Sequence, residues 1–164
     1  MVRESIFEAT RKETRDGKLA LMSPVITSTE GRWVANFASE SVRTKGAAVT
    51  IATEASRTDG GWVINGVKSF GCATGIADDY LVTAKLDTGD TVADLAVFLI
   101  PRDTPGVGER TKWDAVGMRA TATHGITLEN VFVPDDDSLT VPDSFVNMTL
   151  VSRGSFVGNQ VALS

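Results

Sequence analysis

The most reactive side chains in this sequence are a single cysteine, Cys72, and a single histidine, His124. No base or cluster of positive charge neighbours Cys72, so we expect a small buried residue rather than a nucleophile. A lone histidine is more often a hydrogen-bonded structural group than a catalyst. Arg119 can pair with a phosphate or a carboxylate, or form an ordinary surface ion pair. No set of histidines, cysteines and carboxylates has the spacing of a metal site, so we expect no metal.

The composition is typical of a globular domain and narrows the classes of partner. The 164 residues are 42% hydrophobic and 23% charged, with a formal net charge of −5. Because Lys and Arg form no stripe that would neutralise phosphates, we expect no nucleic-acid partner. No apolar run approaches the ~20 residues that span a bilayer, so we expect no membrane span, and no secretory leader is visible. One cysteine permits no internal disulfide, which favours a cytoplasmic protein.

The centre of the chain shows the period of two that is typical of β-strands, interrupted by turn residues. The dipeptide Asn65-Gly66 separates two strand-like runs, residues 62–64 and 67–70. Two such runs joined by Asn-Gly predict a tight hairpin with a type I′ turn. Residues 57–61 predict the turn that leads into this hairpin.

Further strands are predicted on both sides of that segment. A preceding strand is indicated by three alternating residues that share one face, Val49, Ile51 and Thr53. Residues 80–84 predict another strand. The fully apolar residues 95–100 predict a central strand covered on both faces, which ends at Pro101 because proline cannot donate to the ladder. The last strand changes from even to odd apolar positions, which predicts a bulge or bend at Asn130: Ile126, Leu128, Val131 and Val133.

These short strands predict a mainly β protein, an antiparallel barrel or sandwich, with short helical segments at both ends. Apolar positions within residues 2–15 predict a short amphipathic helix. Pro142-Asp143-Ser144 predicts a second helix start with Asp143 as the N-cap. This second helix runs to Ser164 without a stop signal, so we expect the chain to continue in its natural parent.

Three blocks of sequence resemble the central β domain of the acyl-CoA dehydrogenase family. The first block is Gly-Trp-Val-Ile-Asn-Gly-Val-Lys-Ser-Phe at residues 61–70, followed by residues 77–84. The second is Phe-Leu-Ile-Pro-Arg-Asp-Thr-Pro-Gly-Val at residues 98–107. The third comprises residues 113–121 and 128–134. Together they place about residues 33–137 in register with the family.

The resemblance implies a division of the chain and a chemistry. Residues 1–32 would be the remnant of an N-terminal helical domain, residues 33–138 the β-barrel domain, and residues 139–164 the truncated start of a C-terminal helical domain. Family members bind FAD and dehydrogenate an acyl-CoA thioester: a carboxylate takes the α proton and flavin N5 takes the β hydride. The family's catalytic glutamate lies farther along the C-terminal domain, so the resemblance assigns no catalytic residue here. We therefore expect FAD as cofactor and an acyl-CoA or related small molecule as substrate.

The resemblance also implies two contacts with the flavin. Ala38 and Ser39 correspond to a strand that approaches the flavin ring, and Ser39 keeps a hydroxyl able to bond a flavin carbonyl. Phe70, Gly71 and Cys72 correspond to the second contact. There Phe70 offers an aromatic face, and Cys72 stands where a hydroxyl usually faces N5.

On the acyl-CoA side, the resemblance implies contacts from Arg119 and His124.

On the flavin side, the sequence departs from the family pattern. The usual Thr-Glu-Pro-x-x-Gly-Ser-Asp is replaced by Ser-Glu-Ser-Val-Arg-Thr-Lys-Gly at residues 39–46. The family's glycine there lets backbone approach the ligand closely, and Val42, Arg43 and Thr44 do so less readily.

Two other functions are compatible with these departures. A flavin-dependent monooxygenase of the same fold uses reduced flavin and oxygen and needs no glutamate base, which fits the altered residues 41–46 and Gly71-Cys72. A non-catalytic binding or assembly fragment fits the missing base. Because the faces that helical domains cover would be exposed in this chain, we also expect self-association into a homo-oligomer.

Overall fold

A computed structural model describes residues 33–40, 51–89, 91–111, 113–140, 142, 143 and 145. This part of the chain forms eight strands: β1 (Val34–Phe37), β2 (Glu54–Thr58), β3 (Gly61–Gly71), β4 (Asp79–Leu86), β5 (Leu95–Pro101), β6 (Val107–Arg110), β7 (His124–Pro134) and β8 (Ser138–Leu139). Three single-turn 3₁₀ helices lie at Val92–Asp94, Arg119–Thr121 and Asp135–Asp137.

All eight strands belong to one sheet, in the order β6-β7-β3-β2-β4-β5-β8, with β1 paired to β4. The pairs β2–β3, β3–β7, β4–β5, β5–β8 and β6–β7 are antiparallel, whereas β4 pairs in parallel with β1 and with the start of β2. The sheet curls into a half-barrel. The predicted mainly β barrel or sandwich is therefore confirmed.

The sheet has apolar side chains on both faces of its middle strands. One face holds the main core, in which the rings of Phe37 and Tyr80 meet edge to face with centroids 4.8 Å apart. The other face of β4 and β5 carries a second buried cluster of Leu81, Val97, Leu99 and Leu139. Since both faces of β5 are buried, the prediction of a central strand at residues 95–100 is confirmed, with Pro101 as its last residue.

The predicted hairpin at Asn65-Gly66 is wrong, because β3 continues through this dipeptide as one strand of eleven residues. Both halves of β3 pair with the same neighbour, β7. The Asn65 side chain accepts a hydrogen bond from the Asn130 amide at 2.8 Å across the two strands. Gly66 lies so close to the segment that precedes β2 that a Cβ at Gly66 would clash with the Thr53 side chain. The glycine of this dipeptide thus allows β3 to lie close to Thr53.

The tight hairpin lies at the preceding turn, between β2 and β3. Thr58 pairs with Gly61, so only Asp59 and Gly60 connect the two strands. Gly60 has φ +71°, a conformation that glycine adopts without steric cost. The predicted turn at residues 57–61 is confirmed.

The bulge predicted near Asn130 is also confirmed. Ile64 pairs with Val131 and Gly66 with Leu128, so Asn65 on β3 faces two residues of β7, Glu129 and Asn130. Asn130 takes the left-handed conformation, with φ 53°. The extra residue explains the change from even to odd apolar positions.

The strand predicted around residues 49–53 begins later than expected. β2 starts at Glu54, and residues 51–53 are not part of a strand. The amides of Ala52 and Thr53 instead donate to the Glu40 carboxylate. Val49 and the helix predicted at residues 2–15 lie outside the described part of the chain, as do all residues after Pro142 except 143 and 145. The predicted domain boundaries therefore stay predictions.

Candidate functional site

Two loops meet at the end of the β3–β7 pair. Gly71, the last residue of β3, pairs with His124, the first residue of β7, so the segments beyond them continue side by side. The Ala73 amide donates to the Thr121 carbonyl at 2.9 Å, and the Thr74 amide donates to the Ala122 carbonyl at 3.0 Å. The antiparallel register therefore brings residues 70–74 against residues 113–123.

The end of β1 lies against the same part of β3. The Ser69 amide donates to the Ser39 carbonyl at 3.0 Å. A Cβ at Gly71 would lie 2.0 Å from the Phe37 ring, so only glycine fits there. The structure thus places Ser39 beside the end of β3, whereas its predicted flavin contact stays a prediction.

Phe70 lies near the end of β3, where the pairing register between β3 and β7 shifts. Its φ of 62° is left-handed, and 61% of its surface is exposed. The ring contacts Trp113 edge to face, with centroids 6.3 Å apart. Trp113 is held in place by its indole N–H, which donates to the Met118 carbonyl at 3.0 Å. The exposed Phe70 ring therefore packs against the half-buried Trp113 ring.

Cys72 is exposed, so the expectation of a small buried residue is wrong. Its sulfur is 3.2 Å from Thr123 Oγ1, which is 2.6 Å from Thr121 Oγ1. The Thr121 hydroxyl in turn donates to the Met118 carbonyl at 2.9 Å. A thiol and two hydroxyls therefore form a continuous chain of hydrogen bonds next to Phe70.

This chain of hydrogen bonds has one direction. Because a hydroxyl has a single proton and Thr121 uses its own on Met118, Thr123 must donate to Thr121. By the same reasoning the Cys72 thiol must donate to Thr123. The thiol proton is therefore used in the hydrogen bond to Thr123, and the exposed sulfur can only accept hydrogen bonds from other groups.

His124 and Arg119, the two residues predicted on the substrate side, make protein contacts. The Trp113 amide donates to His124 Nδ1 at 3.1 Å, so His124 holds the backbone of the aromatic residue that faces Phe70. Arg119 Nη2 lies 3.0 Å from Asp114 Oδ1 in a well-exposed ion pair. A phosphate or carboxylate at Arg119 would compete with Asp114.

A buried tyrosine fixes the loop after Cys72. The Gly75 amide donates to the Tyr80 hydroxyl at 3.0 Å, and that hydroxyl donates to Glu109 Oε1 at 3.1 Å. Burial raises the pKa of Tyr80, so its hydroxyl stays protonated as a donor. The Arg102 guanidinium contacts the carbonyls of Gly75 and Ala77 at 3.1 and 3.4 Å.

A buried ion pair lies directly behind these loops. Lys68 Nζ is 2.7 Å from Glu40 Oε1, and both side chains are almost fully buried. Burial alone would favour the neutral acid, but hydrogen bonds from Lys68, Thr53 and Ala52 outweigh it and hold the pKa of Glu40 below its ordinary value. Burial lowers the pKa of Lys68, and the contact with Glu40 partly opposes that effect.

The comparison with known families identifies the chain. A family model described as the acyl-CoA dehydrogenase middle domain matches residues 36–131. The chain therefore belongs to the acyl-CoA dehydrogenase family, a family of oxidoreductases, and carries the middle domain.

Individual relatives within the family have different activities. The chain is 37% identical over 92 residues to a mitochondrial 2-methylacyl-CoA dehydrogenase of Solanum tuberosum, covering 56% of this chain and 22% of the relative. It is 35% identical over 100 residues to the dibenzothiophene monooxygenase of Rhodococcus erythropolis, covering 59% and 24%. The structure resembles butyryl-CoA dehydrogenase from Megasphaera elsdenii with a TM-score of 0.65 and 25% identity, covering 77% and 33%. The match thus spans about a quarter or less of the length of these curated relatives.

Two further observations concern the described residues alone. None of their helices has the length and apolar composition needed to cross a membrane. Within the same residues, His, Cys, Asp and Glu side chains form no group of three or more that could hold a metal ion.

The sequence analysis missed several residues that build this site. Trp113 supplies the half-buried ring that contacts Phe70, and Thr121 and Thr123 supply the hydroxyls. Trp113 stands at the start of the third resembling block, so its position was available, but its contact with Phe70 depends on the loop conformation. Glu40 and Lys68 are 28 positions apart, and the pattern of the sequence does not pair them.

Proposed function

We propose that this chain supplies the flavin-facing β domain of an FAD-dependent dehydrogenase that acts on an acyl-CoA thioester. One observation carries the proposal: in a chain of this family, an accessible aromatic ring, Phe70, lies next to the hydrogen-bonding groups of Cys72 and Thr123. Flavin supplies the redox chemistry by accepting a hydride when it is bound.

The side chains of the site fit a flavin. An isoalloxazine ring has an apolar aromatic face and a polar edge, and the site offers the Phe70 ring beside thiol and hydroxyl groups. In the proposed arrangement Phe70 contacts the ring face, while Ser39 and Cys72 contact the polar edge. Gly71, next to Phe70, has no side chain, and the Phe37 ring fills the space that a side chain would need.

The acyl-CoA would lie on the side of Arg119 and His124. Arg119 offers a planar guanidinium for a phosphate or carboxylate, in exchange for its exposed contact with Asp114. His124 positions Trp113 through its Nδ1. The proposal assigns no proton-abstracting base to the described residues.

Flavin uptake tests the proposal. The purified chain is titrated with FAD while flavin fluorescence and visible absorption are followed, and circular dichroism verifies folding. We expect saturable uptake with a shifted flavin spectrum. Anaerobic addition of an acyl-CoA should bleach the bound flavin only in a longer protein that also includes the family's glutamate-bearing C-terminal domain. A folded chain that takes up no FAD overturns the proposal and favours a non-catalytic binding or assembly role.

A flavin-dependent monooxygenase is the second candidate. It is supported by the relationship to dibenzothiophene monooxygenase and by Cys72, whose proton is committed to Thr123. A sulfur that can only accept a hydrogen bond matches the N5–H of a reduced flavin, which donates one. It does not match the N5 of an oxidised flavin, which accepts one. Tighter binding of reduced than of oxidised flavin would favour this candidate.

The proposal includes a cytoplasmic homo-oligomer. Among the described residues, Trp33, Ile76 and Val116 are exposed apolar side chains, and such surface favours association. Sedimentation equilibrium measures the assembly state, and a monomer at high concentration contradicts this part of the proposal.

A further inference from the structure

The Glu40–Lys68 pair is buried within the sheet, behind the candidate site. The Lys68 side chain has 0% of its surface exposed and the Glu40 side chain 5%. A buried ion pair contributes little to stability compared with apolar residues of similar size, because both charges lose their hydration. Its presence at this place calls for a reason other than stability.

The Glu40 carboxylate joins three separate segments. Oε1 accepts hydrogen bonds from Lys68 Nζ on β3 at 2.7 Å, from the Thr53 hydroxyl at 2.6 Å and from the Thr53 amide at 3.0 Å. Oε2 accepts one from the Ala52 amide at 2.6 Å. Both carboxylate oxygens are therefore used, and the residue that follows Ser39 is fixed to β3 and to the segment before β2.

Two of these three segments carry the predicted flavin contacts. Glu40 directly follows Ser39, and Lys68 precedes Phe70 by two positions. Between them the Ser69 amide donates to the Ser39 carbonyl at 3.0 Å. The ion pair and this backbone bond together set the distance between Ser39 and the Phe70–Cys72 loop.

We propose that Glu40 and Lys68 are positioning residues: their buried ion pair holds Ser39 in register with Phe70 and Cys72 so that all three can contact one flavin. This inference rests on the proposed function. It goes further by assigning a role to two residues that touch neither flavin nor substrate. Because binding is sensitive to displacements on the order of 1 Å, a loosened register should weaken flavin binding even in a folded protein.

The test compares the ion pair with a neutral pair of nearly the same shape. In Glu40→Gln/Lys68→Met both charges are removed together, so neither is left buried without its partner. We expect this variant to fold, to exchange the Ser69 amide hydrogen about tenfold faster than the unchanged protein, and to bind FAD about tenfold more weakly with altered visible circular dichroism.

A second variant tests whether a general loss of stability would have the same effect. Val133→Ala shortens a buried side chain at the far end of β7 and should lower the unfolding temperature. It should leave Ser69 exchange and FAD affinity as they are in the unchanged protein. If Val133→Ala weakens FAD binding as much as the neutral pair does, the effect is general stability and the inference is wrong.

The outcomes separate this inference from the proposed function. If the unchanged protein binds no FAD, the proposed function fails, and Ser69 exchange alone decides whether the pair fixes the two segments. If FAD binds and the neutral pair leaves both Ser69 exchange and FAD affinity unchanged, the inference is overturned while the proposed function stands. Faster Ser69 exchange with unchanged FAD affinity also overturns it, because the register then has no effect on the flavin.

Discussion

The sulfur of Cys72 lies 3.2 Å from the hydroxyl oxygen of Thr123, in an orientation of the hydrogen-bond chain that makes the thiol the donor. This relationship connects the two loops of the site through side chains as well as backbone. It also gives an exposed cysteine a defined structural partner.

Replacing Thr123 by Val should break this chain while keeping the shape of the side chain. Cys72 loses its acceptor and Thr121 loses its donor, so we expect the free energy of unfolding to fall by about 1 kcal/mol. We also expect the thiol to react faster with a small alkylating reagent, because the sulfur is no longer held against Thr123. Urea unfolding and the rate of thiol modification measure the two effects, and Thr123→Ser, which keeps the hydroxyl, is the control.

Gly71→Ala should be strongly destabilising because the added Cβ would lie 2.0 Å from the Phe37 ring. Overpacking of this kind costs roughly 1–3 kcal/mol of unfolding free energy. Gly117→Ala is the matched control, since nothing lies within 4 Å of a Cβ there. Urea unfolding of both variants measures the difference, and equal stabilities would show that the Phe37 contact is not tight.

Asn65→Ala should weaken the bulge between β3 and β7. The Asn130 amide, which donates to Asn65 Oδ1 at 2.8 Å, is left without this acceptor, so we expect a loss of about 1 kcal/mol of unfolding free energy. Asn65→Asp retains an acceptor and should lose much less. If Ala and Asp have the same effect in urea unfolding, the hydrogen bond does not contribute to stability.

The acid limb of the stability profile should depend on Glu40. Its pKa is lowered from 4.5 in the folded protein, so the unfolded chain binds a proton first as the pH falls. The stabilisation is therefore fully present above pH 4.5 and is lost as the pH falls through the lower folded pKa. Unfolding free energy measured across this range should fall less steeply in Glu40→Gln, which cannot titrate. Equal slopes in the two proteins would contradict the shift.

The apolar pattern was enough to predict the sheet. Continuous apolar runs such as β4 and β5 are told from helices by their short length and by the turn residues that bound them. Asn65-Gly66 misled because the dipeptide has two uses. It permits a tight hairpin turn, and it equally permits a close approach opposite a bulge, and only the pairing of both halves of β3 with β7 decides between them.

The same error concealed the ion pair. In one unbroken strand, Lys68 has the same parity as Trp62 and Ile64 and is buried as they are. A lysine in such a position requires an acidic partner, but the local pattern does not identify Glu40, because the contact depends on how β1 crosses β3. Ser39 and Phe70 are predicted site residues from the family resemblance alone, whereas the contact between Glu40 and Lys68 depends on the three-dimensional fold.

The exposed ring of Phe70 gives the most direct prediction about the candidate site. Phe70→Ala removes the aromatic face but leaves the left-handed backbone, so the protein should fold and bind FAD several-fold more weakly, since an aromatic pair contributes about 0.5–1.5 kcal/mol. Phe70→Tyr keeps the ring and should retain the affinity. Ile76→Ala removes an exposed apolar side chain outside the Phe70–Trp113 contact and serves as the control. Fluorescence titration with FAD measures all three, and an unchanged affinity in Phe70→Ala would exclude this ring as the flavin contact.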